Sequence, residues 1–286
     1  MRLALGTVQF GLDYGIANAQ GQVAPSEVAS ILSLAQQMGI STLDTAINYG
    51  QSESVLGQCG IAEWQVVTKL PALPESVEDV ADWVQTHMRQ SLARLGVVSV
   101  HAVLLHRPQD LLGAQGRALL TGLKDLQLQG LAAKTGISVY SPDELDSFYA
   151  LHHFDLVQAP FSILDQRLLV SGWLTKLHDM GVEVHTRSSF LQGLLLMQPT
   201  QRPQKFQRWQ AVWQCWEDWL ASQGMTALQA CLRYPLSEPA IDKVVIGVDS
   251  ALHLQQIADA AMGIMPPPPN WPLPLDLELL LPSLWN

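Results

Sequence analysis

The stretch STLDTAINYG (41–50), QSESVLGQCG (51–60) and IAEWQVVTKL (61–70) decides the fold. It opens on one strand candidate, Ser41–Ala46, and closes on another, Gln65–Leu70. VVTKL is a continuous run rather than an alternating one, the pattern of a strand covered on both faces. Moving outward, further strand candidates lie at Arg2–Thr7, Val100–His106, Lys134–Val139, Leu156–Ser162, Glu183–Ser188 and Lys243–Val248. Helical periodicity fills the gaps between them. Val28, Ile31, Leu32, Ala35 and Met38 follow Pro25 and stop at Gly39; Val80, Trp83, Val84, Leu92 and Leu95 run to Gly96. Helices are also expected over Gly116–Gln129, Pro142–Leu151, Gln166–Met180 and Ala251–Met262. Eight β units in succession, each followed by a helix, specify an α/β fold closed as a (β/α)8 TIM barrel rather than an open sheet.

Composition agrees with that size and class. The chain has 286 residues, 48% of them hydrophobic and 15% charged, as a single barrel with a large buried core requires. A net charge of −10 excludes nucleic acid as a partner, because a phosphate backbone needs clustered Lys and Arg. It leaves a phosphorylated cofactor open, since that needs only a few local donors. Cys59, Cys215 and Cys231 have no metal-ligand spacing and, being odd in number, cannot all pair, which points to a reducing compartment. MRLALGTVQFG lacks the apolar core of a signal peptide, and no window reaches about 18 uninterrupted apolar residues. The expectation is a cytoplasmic protein with no membrane partner, a monomer or weak homo-oligomer.

Residues 1–265 are assigned to the barrel and 266–286 to a Pro-rich C-terminal arm. Strand one begins at residue 2, leaving no room for an N-terminal hairpin plug, so the arm is expected to close the barrel floor. The excursion from Gln198 to about Ala221 carries Trp209, Trp213, Trp216 and Trp219 on one helical face. Packing against the barrel wall is the principal reading of that face, with a lid or self-association surface as the alternative.

In such barrels the active site lies at the C-terminal strand ends. Strand two ends at Asp44 with Tyr49 in the next loop, strand three at Lys69 and strand four at His106. Neighbouring strands are about 4.8 Å apart, so three successive ends span about 10 Å and the four side chains can converge. A carbonyl that accepts hydride becomes an alkoxide and needs a proton, and a tyrosine, with a pKa of about 10, is a weak acid at neutral pH. A lysine cation about 4 Å away favours the phenolate by roughly 4 kcal/mol, about three pKa units, while Asp44 keeps Lys69 charged and offsets part of that shift. His106 can donate to the carbonyl oxygen and orient it. Singly, each residue has a structural explanation: Asp44 a turn residue, Lys69 a snorkelling side chain, His106 a loop histidine. In order on adjacent strands, they describe a proton-transfer site. The other histidines show no ligand spacing, so no metal is expected; His185 reads as a bonded residue of the barrel interior, and His101 lies away from the catalytic rim.

The strings LGTVQFG (5–11), LDTAINYGQSESVLG (43–57), VVTKL (66–70), VLLHRP (103–108), GISVYS (136–141) and LVQAPFS (156–162) resemble, in order and spacing, the signature segments of the aldo-keto reductase superfamily. The similarity runs from Leu3 to about Ala260. It implies NAD(P)H-dependent reduction of an aldehyde or ketone without metal, with Asp44, Tyr49, Lys69 and His106 in the positions of the family's catalytic residues. A small-molecule carbonyl compound is the implied partner. Ser138 and Gln158 match the positions that hold the nicotinamide carboxamide. Val139 stands where an Asn is usual, and Arg187 where many members stack an aromatic ring.

VVIGVDSALHLQQI (244–257) resembles the final strand and helix that bind the coenzyme phosphates, which adds Gly247, Val248, Asp249, Ser250 and His253 to the implied contacts, with Thr7 and Asp44 at the rim. Relatives commonly place Lys, Ser or Arg where this chain has Gly247, Val248 and Asp249. The resemblance implies NADPH, whereas Asp249 would repel a 2′-phosphate and suits a ribose hydroxyl. NADPH is the expected coenzyme, with NADH as the alternative. Two other functions stay open: a nucleotide-binding regulatory barrel without catalysis, and a barrel enzyme whose nicotinamide stays bound and is recycled. Gln9 and Phe10, after strand one, either shape the pocket or simply pack.

Overall fold

The computed structural model describes residues 1–16, 18, 21–272 and 274–285. Eight strands, β1 (Leu3–Gly6), β2 (Thr42–Asp44), β3 (Gln65–Leu70), β4 (Val100–Leu105), β5 (Ala132–Ser138), β6 (Leu156–Pro160), β7 (Glu183–Arg187) and β8 (Lys243–Gly247), pair in sequence order and all in parallel. β8 returns to β1 and closes the barrel. The strands sit where the apolar runs put them, with ends shifted by one or two residues.

Helices surround the strands: α1 (Val8–Gly11), α2 (Pro25–Gln37), α3 (Ser52–Cys59), α4 (Val80–Leu95), α5 (Gly116–Leu128), α6 (Asp143–Tyr149), α7 (Arg167–Val170), α8 (Trp173–Asp179), α9 (Gln210–Gln223), α10 (Ala227–Ser237), α11 (Ala251–Ala261) and α12 (Leu277–Leu280). The expected helix over Gln166–Met180 is two helices, α7 and α8, because Gly172 between them has a φ of 78° that no helix interior adopts. Of the helices longer than four residues, two had no usable periodic signal. In α3 the buried face includes Ser52 and Glu53, so its inward stripe is half polar. In α10 a capping box of Thr226 and Gln229 marks the start, while Pro235 near the end breaks the apparent pattern.

Apolar side chains pack in two bodies. One lies between strands and helices and holds most of the core, including Leu5, Ile31, Leu43, Met88, Phe148 and Trp216. The other is the small barrel interior of Val67, Ala102, Leu104 and Leu156. Gly136 in β5 serves this interior. A Cβ there would come within 2.1 Å of the Leu156 carbonyl oxygen and 2.7 Å of Leu104, so the close approach of β5 to β6 needs glycine.

Below the apolar layer, at the N-terminal strand ends, the Glu183 carboxylate pairs with His101 Nε2 at 2.9 Å, Lys134 Nζ at 2.6 Å and His185 Nε2 at 2.7 Å. This polar cluster occupies the floor assigned above to the C-terminal arm, which instead lies elsewhere. Trp271 Nε1 in the arm donates to the Ile163 carbonyl beyond the C-terminal end of β6. The indoles of Trp209 and Trp219 donate to Asp276 Oδ2 and the Pro267 carbonyl, and Trp285 packs edge-on against Phe206. The tryptophan face of α9 is therefore a packed surface: Trp213 and Trp216 are buried, and Trp216 stacks on Trp219 and touches Trp271. It joins the loop after β7 to the arm, on the side of the barrel where the strands end. Among the described residues no helix is long and apolar enough to cross a membrane.

Candidate active site

Strand register brings the four sequence-selected residues together. Asp44, last residue of β2, is level with Val67; Lys69 comes two residues later on β3 and so faces the same way, into the barrel mouth. Lys69 is level with Leu104, and His106 follows Leu104 by two residues. Ser138 and Gln158 are paired on β5 and β6.

Lys69 is fully buried, and its ammonium donates to Asp44 Oδ1 and Oδ2 and to the Thr45 carbonyl, each at 2.8 Å. Three donors thus meet three acceptors, which a desolvated ammonium requires. Asp44 Oδ2 also accepts from Gln158 Nε2 at 2.6 Å, and Gln158 Oε1 accepts from Ser138 Oγ at 3.3 Å. Thr7 Oγ1 donates to the Asp44 carbonyl and accepts from Ser52 Oγ. The Tyr49 ring centre lies 5.1 Å from Lys69 Nζ, and its ring meets that of His106 edge-on at 5.7 Å.

These surroundings set the protonation states. Burial pushes the Tyr49 phenol above its ordinary value, and Lys69 only partly opposes it. The net shift is therefore upward, not the downward shift expected from a lysine alone: Lys69 already has a carboxylate partner, and desolvation of a phenolate outweighs what remains. The Lys69 ammonium is held above its ordinary range, burial lowering it but Asp44 and Tyr49 raising it further. His106 is lowered to about 4, by burial first and by Lys69 second, so its ring is neutral at pH 7. At neutral pH the mouth offers a neutral phenol, a neutral imidazole and an ion pair beneath them.

A cavity of about 660 Å³ opens above this group. Asp44, Tyr49, His106, Thr7, Ser138, Gln158, Arg187, Gly247, Asp249 and His253 all line it. Val248 and Ser250 stand beside it: Val248 is buried, and Ser250 Oγ caps α11 by accepting from the His253 amide. Arg187 donates to the Val139 carbonyl at 3.0 Å, and its guanidinium lies 4.7 Å from the Tyr140 ring centre. Burial raises the Asp249 carboxyl, with His253 opposing.

Several lining residues were not singled out in the sequence. Tyr140, Ser188, Gln192 and Pro282 are among them. Gln192 Nε2 donates to Tyr14 Oη at 3.3 Å, joining the loop after β7 to the loop after β1. In that loop Ser188, Leu191 and Gln192 have φ of 67°, 46° and 52°. Each costs of the order of 1 kcal/mol and is held by surrounding structure, here by buried Leu191 and the turn bonds Leu191 N to Ser188 O and Gly193 N to Phe190 O.

The family model described as Aldo/keto reductase family matches residues 2–263. The chain belongs to this family. A 6-dehydroglucose reductase of Novosphingobium aromaticivorans is 26% identical over 264 residues, 85% of this chain and 83% of that protein. In three dimensions the chain resembles an aldo-keto reductase from Bacillus halodurans in its holo form (TM-score 0.72, 19% identity, covering 93% of this chain and 88% of that one). It also resembles a glycerol dehydrogenase of Gluconobacter oxydans (TM-score 0.70, 20% identity, 93% and 88%). The protein is thus an NAD(P)H-dependent oxidoreductase of carbonyl compounds. Among the described residues no group of three or more His, Cys, Asp or Glu is arranged to hold a metal ion.

An aldo/keto reductase must hold a nicotinamide dinucleotide, and the cavity fits one. Its volume lies in the range of ligand sites. Gln9 and Asp249 line the cavity, and among the described residues their Oε1 and Oδ1 atoms are buried without a partner, so both side chains have an acceptor to offer a ligand on turning toward it. A Cβ on Gly247 would come within 2.3 Å of Gln9 Nε2, so glycine there lets the Gln9 side chain lie against the end of β8.

Proposed function

We propose that this aldo/keto reductase reduces a small aldehyde or ketone with Tyr49 as the proton donor. The observation that carries the reading is the neutral Tyr49 phenol at the cavity wall, above a buried Lys69–Asp44 pair and against a neutral His106. Thr7, Ser138 and Gln158 would hold a nicotinamide, which when bound would supply the hydride for the carbonyl carbon. As negative charge develops on the oxygen, His106 donates a hydrogen bond that orients it, and Tyr49 delivers its proton. Lys69 stabilises the resulting phenolate, and Asp44 keeps Lys69 charged at neutral pH. A phenol whose resting value is raised is not spontaneously ionised, so the proton is present when the oxygen needs it.

Thr7, Ser138 and Gln158 are proposed to contact the nicotinamide end of the coenzyme. Arg187, its guanidinium over the Tyr140 ring, is proposed to lie beside the nicotinamide ring. Gly247, Val248, Asp249, Ser250 and His253 would meet the remainder. Residues 1–265 carry this chemistry, and the arm from 266 to 285 walls the cavity through Pro282 and Ser283. Tyr14, Tyr140, Ser188, Gln192 and Ser283 bring polar groups to a wall that also carries Val8, Phe190, Leu196 and Leu228; these polar groups, together with the resemblance to a 6-dehydroglucose reductase, support a hydroxylated substrate.

The test is Tyr49→Phe, assayed by coenzyme oxidation with a panel of alkyl and hydroxylated aldehydes. Turnover is expected to fall at least about a hundredfold, the usual contribution of a positioned acid, with coenzyme affinity near wild type. Undiminished turnover would discard the assignment of Tyr49.

A further inference from the structure

We propose that Glu27 and Asp249 make this chain selective for NADH over NADPH. The proposal rests on the reading that the cavity holds the dinucleotide with its nicotinamide near Tyr49 and His106. Hydride must be delivered at that end, so the rest of the coenzyme extends along the wall toward Gly247, Asp249, His253, Gln256 and Ile257.

That far end lacks what a phosphate monoester needs. Among the described residues no Lys or Arg lines it; Arg187, the one guanidinium among those that line the cavity, is on β7 and bonded toward β5. His253 stands 3.8 Å from the Asp249 carboxylate, which offsets its charge whenever it is protonated. The start of α11 would ordinarily present free N–H groups to an anion. Here the Ala251 amide already donates to Glu27 Oε1 at 2.7 Å, a carboxylate brought in from α2, and the His253 amide donates to Ser250 Oγ at 3.1 Å. Glu27 thus sets a negative charge at the start of α11 and takes up an N–H group that an anion could otherwise use.

The same end is supplied with acceptors. Asp249 and Gln9 line the cavity, and among the described residues their Oδ1 and Oε1 atoms are buried without a donor. Ribose hydroxyls are donors and would satisfy them once the two side chains turn toward the coenzyme. A 2′-phosphate brings additional acceptors and close to two further negative charges toward two carboxylates. Unpaired buried acceptors and like-charge contacts both discriminate by difference, one favouring the hydroxyl form and the other rejecting the phosphate.

Titration of the full chain with NADH and with NADPH, followed by quenching of tryptophan fluorescence at pH 7.5, tests this without relying on turnover. NADH is expected to bind at least about tenfold tighter. The variant Glu27→Gln keeps an acceptor for the Ala251 amide and removes the charge. It should narrow the ratio by roughly fivefold to tenfold, mainly by tightening NADPH, with NADH affinity within about twofold. Asp249→Asn, in case the first variant folds poorly, should act in the same direction. Equal or tighter binding of NADPH by the wild type, or a ratio unchanged in both variants, overturns the proposal while leaving the cleft reading intact. Binding of neither coenzyme overturns the cleft reading and this inference with it.

Discussion

Replacing Asp44 with Asn tests how the site is built rather than what it catalyses. In the wild type the fully buried Lys69 ammonium has two carboxylate oxygens and one carbonyl at 2.8 Å. Asn keeps one acceptor and removes the charge. Breaking a buried pair by removing one partner costs about 3–5 kcal/mol, and the retained acceptor puts this case near the lower end. For a chain of this length that corresponds to a fall in Tm of roughly 5–8 °C. The pH dependence identifies the cause. With Asp44 present, Lys69 is held above its ordinary value, so its contribution is intact at neutral pH and is lost only as pH rises through that raised value. Without Asp44, burial dominates and lowers Lys69. The unfolded chain then holds a proton the folded one gives up, so stability rises with pH up to about 10. Thermal and urea unfolding of Asp44→Asn, Lys69→Met and the double variant from pH 6 to 10 measures both effects. The double variant should recover at least about 1.5 kcal/mol relative to additivity. A loss below about 1 kcal/mol for Asp44→Asn, or an unchanged pH slope, would refute the argument that this is a desolvated pair.

Two structural predictions accompany those on Tyr49 and Glu27. Glu183→Gln should lower stability by about 1–3 kcal/mol at pH 7, discounted because Lys134 in the cluster is partly exposed. His101, His185 and Lys134 hold the Glu183 carboxyl well below its usual range, so its contribution exists above about pH 4 and fades as pH falls. The gap between variant and wild type in urea unfolding should therefore narrow from pH 5 toward pH 3; a constant gap would mean the pairing contributes nothing. Gly136→Ala should cost at least about 1–3 kcal/mol by forcing β5 from the Leu156 carbonyl, and a Tm equal to wild type would show that the strand approach is slack.

Sequence alone determined the number, order and approximate extent of the barrel strands, since a strand covered on both faces writes its burial into consecutive residues. It also selected Asp44, Tyr49, Lys69 and His106, because adjacent parallel strands leave their ends side by side whatever the rest of the chain does. What it left open depends on distance and desolvation. Glu27 and Ala251 are 224 positions apart, and no local pattern could pair them. The upward displacement of Tyr49 arises from its desolvation among residues gathered at the barrel mouth, a property of the assembled barrel. The arm has a composition but no period, so only the indole N–H groups of Trp209, Trp219 and Trp271, finding acceptors in three dimensions, decided that it lies over the strand ends and leaves the floor to Glu183 and its partners.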